Sequence, residues 1–148
     1  GYGNNSDTHD TGSVDNKTLE ELMENDIVPF KESIDVGAES VMLAHNTVAA
    51  IDPNNPASLS KGVHDLLVNE LNFTGIMITD ALDMGATKDI PDKFVKAVKA
   101  GNHLLLVQDY ARAYTELNEA VKNGNISEDE LNKQVFKVLA WKYYKGLL

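Results

Sequence analysis

The feature that most constrains the fold is a set of short, almost unbroken apolar runs, each ending in polar residues and separated from the next by helical pattern. The runs are "SVMLAH" at 40–45, "GIMITD" at 75–80 and "HLLLVQ" at 103–108. A strand with one wet face alternates apolar and polar residues, whereas a strand buried on both faces reads as a continuous apolar run. Three such runs alternating with helices predict an α/β chain with a parallel sheet covered on both faces. His45-Asn46, Thr79-Asp80 and Gln108-Asp109 follow the runs. In parallel sheets the chemistry gathers at the carboxyl ends of strands, so these polar pairs lie where a site is expected.

The intervening segments fit that reading. Residues 1–16 are polar and rich in Gly and Asn, and read as loop. Residues 18–36 read as helix, bent or restarted near Pro29, with Gly37 as its stop. Residues 46–59 read as a long loop, and Ser60 as the N-cap of a helix running to about Leu71. A helix over about 92–100 is closed by Gly101. The remainder is helical in two pieces, the second opened by Ser127 and Glu130 at capping-box spacing.

Composition narrows the function. The 148-residue chain has the size of one ordinary domain and is 43% hydrophobic, enough for a core. Its net charge of -10 argues against nucleic acid or an anionic membrane as a partner for a broad basic face. It has no cysteine, which excludes disulfides and thiolate metal sites. No apolar run approaches the roughly 18 residues of a membrane span. The chain opens on Gly-Tyr-Gly without an initiator Met and reads as a piece of something longer. Three strands do not close a barrel, which takes eight strands and about 250 residues. Periodicity leaves two architectures open, a small open α/β sheet or the last part of a barrel.

The motifs separate them. "GYGNNSDTH", then "PFKESIDVGAESVMLAH", "PASLS" and "GIMITDALDM", in that order, resemble the glycoside hydrolase family 3 β-N-acetylglucosaminidases. In that family a Lys-His-Phe-Pro-Gly strand and loop ends in Asp-Ser/Thr-His, and a later Gly-hydrophobic-Thr-Asp strand end holds the nucleophile. The resemblance covers essentially the whole chain. It implies that residues 1–148 are the C-terminal part of a (βα)8 TIM-type catalytic barrel, from the loop after strand five to the last helices, with the N-terminal strands absent. Carried over residue by residue, Asp80 matches the nucleophile, His9 the general acid/base and Asp7 its orienting partner. The implied reaction is retaining hydrolysis of terminal β-linked N-acetylglucosamine, with cell-wall muropeptides or chitin-derived sugars as the expected glycans. No metal or organic cofactor is implied.

The residue chemistry agrees with that assignment. A retaining glycosidase needs a carboxylate nucleophile and a proton donor at the leaving oxygen. Asp80 ends an apolar strand, a rigid place for a nucleophile. An imidazole with an ordinary pKa near 6.5 both gives and takes a proton near neutrality, and a carboxylate such as Asp7 fixes its tautomer. His45 and Met84 border the same strand ends and are candidate substrate contacts, with packing as the competing role. Asp83 lies beyond the strand end and reads as a turn or cap. His64, on a helix, reads as a surface or interface residue. His103 stands where the family usually has Asp, which puts a local hydrogen bond in question. Trp141, Tyr143 and Tyr144 read as packing residues of the last helix.

Three other readings stand beside the hydrolase. The family's sugar-gripping Lys-His pair and the earlier strands with a sugar-binding Asp and Arg are absent, so a non-catalytic α/β binding or assembly fragment is one. A phosphorolytic variant is the second, because a neutral imidazole repels incoming phosphate less than a carboxylate does. A metal site of Asp7, His9, Asp10 and His45 is the third, although nothing in their spacing demands a metal. A partial barrel exposes sheet edges, so the chain is expected to need the missing half or self-association.

Overall fold

The computed structural model describes residues 9–148. The strands are β1 (Val14–Asp15), β2 (Ser40–Leu43), β3 (Thr47–Val48) and β4 (Ile76–Thr79). The helices are α1 (Leu19–Glu21), α2 (Val28–Asp35), α3 (Lys61–Asp65), α4 (Lys93–Ala100), α5 (Tyr110–Lys122) and α6 (Glu128–Tyr144). A π-helical turn over Leu22–Asp26 joins α1 to α2, and another over Leu66–Glu70 extends α3. The expected helix of residues 18–36 is therefore present with its bend, and Pro29 sits in the first turn of α2, where its missing N–H costs nothing. Thr18 and Glu21 form a capping box at α1, as do Ser127 and Glu130 at α6. Ser60 caps α3 by accepting from the Val63 amide.

The central pair is parallel: β2 lies beside β4 with Ser40 opposite Ile76 and Leu43 opposite Thr79. The third apolar run follows β4 in parallel but is not a continuous strand, making one bridge, Leu104 to Ile78. The physical reason is a substitution of side chains for ladder partners. His103 Nδ1 accepts from the Met77 amide at 2.9 Å, and Thr79 Oγ1 accepts from the Leu106 amide at 3.1 Å. Backbone bonds from His103 to Met77, Thr79 to Leu104 and Leu82 to Leu106 complete the attachment. The imidazole at 103 thus makes a hydrogen bond of its own to the neighbouring strand.

Helices cover one face of this sheet among the described residues, a correction to the expectation of two covered faces. Leu43 and Met77 pack with Leu67, Leu71 and Phe73 on that face, joined by Val41, Ile27 and Ile34. A second cluster of Leu59, Leu82, Phe94, Ala97 and Ala113 lies under α4 and α5, and Val95, Val98, Ala120 and Ile126 continue it toward α6. The alternate strand residues turn the other way: Met42 is 56% exposed and its neighbour in register, Ile78, half-buried, while Ile76 at the start of β4 is buried. Parallel strands with helices on one side and an uncovered apolar face on the other form a segment of barrel wall rather than an open doubly covered sheet. An apolar cavity of about 530 Å³ runs along β2 on the helix side, lined by residues such as Ile27, Phe30, Ile34 and Leu43; Asp80 does not border it.

The segment after residue 9 is less loop-like than expected. β1 pairs in parallel with β3, Val14 opposite Thr47 and Asp15 opposite Val48. Two further corrections concern single residues. His64 is buried, 2% exposed, because α3 turns its ring inward and Nδ1–H donates to the Ser60 carbonyl one turn back at 2.7 Å. Tyr143 and Tyr144 do not pack into the chain: they are 69% and 84% exposed, touching each other edge to face, while half-buried Trp141 donates from Nε1 to Glu39. No described helix is long and apolar enough to cross a membrane.

Candidate active site at the carboxyl ends of the strands

Asp80 is the residue at which β4 stops being strand. Its amide still donates to the Leu43 carbonyl at 2.9 Å, so its backbone is held in the sheet. Two residues beyond Ile78, its half-buried side chain belongs to the face turned away from the helices. Its Oδ1 accepts from the Ala81 amide at 2.7 Å. A fixed backbone and a carboxylate on the inner face are what a positioned nucleophile requires.

The turn that follows Asp80 is held from several sides. The Ala81 carbonyl accepts from the Met84 amide at 3.0 Å. The Leu82 carbonyl accepts from Thr87 Oγ1 at 2.9 Å and from Lys93 Nζ at 2.6 Å. Asp83, expected to be a turn or cap residue, instead tethers the turn to the next segment, accepting from the Gln108 amide through Oδ2 at 2.6 Å. Met84 is half-buried within this turn.

His45 lies beneath the turn and is 1% exposed. Its Nε2 is 2.9 Å from the Ala81 carbonyl, which only accepts, so Nε2 carries the proton. Nδ1 then accepts from Ser58 Oγ at 2.7 Å. Burial pushes the imidazole pKa below its ordinary value and keeps the ring neutral in this tautomer. Both ring nitrogens are thereby engaged within the chain. Ser58 is itself anchored, its carbonyl accepting from Asn102 Nδ2 at 2.7 Å.

His9 and Asp10 form an exposed turn, and Asp7 lies outside the described residues. The turn is docked on the Asp80 loop: the Gly85 amide donates to the His9 carbonyl at 2.8 Å. Any Cβ at position 85 would stand 2.1 Å from the Asp10 carbonyl oxygen, so the contact requires glycine. On its other side the same segment is fixed by β1, where the Thr47 amide donates to the Ser13 carbonyl and the Ala49 amide to Asp15. The structure therefore brings the His9 turn, the Asp80 turn and the segment after His45 together at one end of the sheet. Gly85, Asn102 and Lys93 are the residues there that lie outside the motifs, while Ser58 falls within "PASLS" without having been given a role. "DMG" after the strand end is the only signal for Gly85, and Asn102 and Lys93 have no local one. Among the described residues no group of three His, Asp or Glu converges as metal ligands.

Parallel strands with outer helices and polar turns at their carboxyl ends define a barrel-type α/β protein, and the candidate site lies at those strand ends. The chain belongs to glycosyl hydrolase family 3: residues 1–141 match that family's N-terminal domain. A β-hexosaminidase of Nitrosomonas eutropha is 34% identical over 105 residues, which cover 69% of this chain and 30% of the relative. The structure of a family 3 β-N-acetylglucosaminidase from Paenibacillus superposes with a TM-score of 0.86 at 33% identity, covering 96% of this chain and 29% of that one. The β-glucoside phosphorylase BglX superposes with a TM-score of 0.84 at 26% identity, covering 93% of this chain and 27% of that one. These likenesses identify the fold as part of a TIM-type barrel. The chain spans about a third of the length of the proteins it matches.

Proposed function

We propose that this chain supplies the nucleophile and the acid/base of a retaining glycoside hydrolase that removes terminal β-linked N-acetylglucosamine. Asp80 attacks the anomeric carbon and forms a glycosyl-enzyme, while His9, oriented by Asp7, protonates the departing glycosidic oxygen. His9 then takes a proton from water as it displaces the sugar from Asp80. The observation that carries the reading is the Gly85–His9 backbone bond, which seats the acid/base turn on the nucleophile turn. The likeness to β-hexosaminidases and β-N-acetylglucosaminidases supports the choice of sugar. His45 serves better beneath the site than on the sugar, since both its nitrogens are already engaged; Met84 remains the substrate contact on the turn.

A second reading draws on the likeness to a phosphorylase. Phosphate in place of water at the second step would give a sugar 1-phosphate from the same intermediate. Product analysis with and without phosphate separates the two.

The test is leaving-group dependence in the full-length protein. Replacing His9 by Ala should slow substrates with poor leaving groups by about 10²–10⁴-fold and activated aryl glycosides far less, because only the former need a proton on departure. Equal losses on both would make His9 structural.

A further inference from the structure

Lys93 is hard to explain as a structural residue. It opens α4 and is 3% exposed. A buried ammonium loses its hydration, and the N-terminus of a helix repels positive charge. Among the described residues no carboxylate forms an ion pair with it. Its nearest favourable features are the Leu82 carbonyl at 2.6 Å and the Phe94 ring, whose centroid is 5.4 Å away. The carbonyl does not need it, because Thr87 Oγ1 already donates there at 2.9 Å. An apolar residue of the same length would leave no unpaired acceptor.

What Lys93 adds is a buried positive charge and a second donor on the turn that follows Asp80. His45 donates to the Ala81 carbonyl and Lys93 to the Leu82 carbonyl, so two successive peptides after Asp80 are drawn toward buried donors. The Ala81 N–H is left for the Asp80 carboxylate.

We propose that Lys93 is a positioning residue for Asp80: its ammonium fixes the Leu82 peptide, and through it the carboxylate-bearing turn, and keeps a positive charge behind a site that works as an anion. The inference rests on the reading of Asp80 as nucleophile.

The experiment compares Lys93→Met, Lys93→Arg and Asp80→Asn in the full-length protein, by turnover of an aryl N-acetylglucosaminide and by thermal melting. Lys93→Met should lower kcat by about 10²-fold, as small displacements of reacting groups do. KM should stay within about threefold, since the loss falls on the transition state. Its melting temperature should be unchanged or higher, because replacing an uncompensated buried charge by an apolar side chain is neutral or stabilising. Lys93→Arg should recover part of kcat. Full kcat in Lys93→Met, or a loss of kcat together with a lower melting temperature or failure to fold, overturns the inference and makes Lys93 structural. Asp80→Asn tells the two failures apart. If it is inactive while Lys93→Met is fully active, only the Lys93 assignment falls; if Asp80→Asn is active, the nucleophile reading falls and the inference with it.

Discussion

His103 shows how one side chain can take over a backbone function and attach a pH dependence to it. Its Nδ1 accepts the Met77 amide, a role that only a ring unprotonated at that nitrogen can fill. Burial, with Lys137 nearby, pushes its pKa from 6.5 down to about 4. A base with a lowered folded-state pKa binds its proton more readily in the unfolded chain. Stability is therefore complete above about pH 6.5 and is lost as pH falls toward 4. His45 and His64, also shifted down by burial, act in the same direction. Replacing His103 by Asn keeps an acceptor without a titrating ring. Denaturant melts at pH 7 and pH 4.5 should show the variant losing less stability than the parent, by about 1 kcal/mol after screening of a partly exposed ring. Identical acid losses would show that His103 does not titrate with folding.

At the scale of elements, the sequence was readable where burial imposes a period and opaque where a tertiary partner decides. The runs holding Leu43 and Met77 marked β2 and β4 because both pack into the core under the helices. The run from His103 promised a third strand, but nothing local reveals that His103 and Thr79 side chains take ladder positions. β1 and β3 are two residues each, too short to carry a period. His64 read as surface because its acceptor is one helical turn away rather than adjacent. Lys93, Lys96 and Lys99 repeat at helical spacing, yet only Lys99 is exposed and Lys93 is buried, a difference that nothing local marks. At the site, the motifs named Asp80 and His9, while the Gly85 contact that joins their turns became visible only in three dimensions. That contact is testable. Gly85→Ala forces the Asp10 carbonyl away from a Cβ otherwise 2.1 Å from it. Turnover should fall by at least about tenfold as His9 is displaced. Stability should change by less than about 1 kcal/mol, because the His9 turn is exposed. Unchanged turnover would show that the two turns do not act together.

At the scale of the molecule, the apolar surface around Met42 and the edge of β2 are left open among the described residues. Met42 and Leu106 are 56% and 48% exposed on or beside the sheet, and β2 pairs only with β4 among the described residues. A strand edge and an apolar face left open favour association. Light scattering should find the 148-residue chain associated in solution. A chromogenic N-acetylglucosaminide should show no turnover by it, because these residues span only about a third of the length of the proteins they match. A stable, active monomer would contradict the partial-barrel account. The site itself is tested most directly by trapping its covalent intermediate. The full-length protein is treated with a mechanism-based 2-fluoro sugar, digested, and the modified peptide sequenced by mass spectrometry. The account predicts one sugar adduct, on the carboxylate of Asp80, absent from Asp80→Ala. An adduct on Asp83, or turnover by Asp80→Ala, would contradict it.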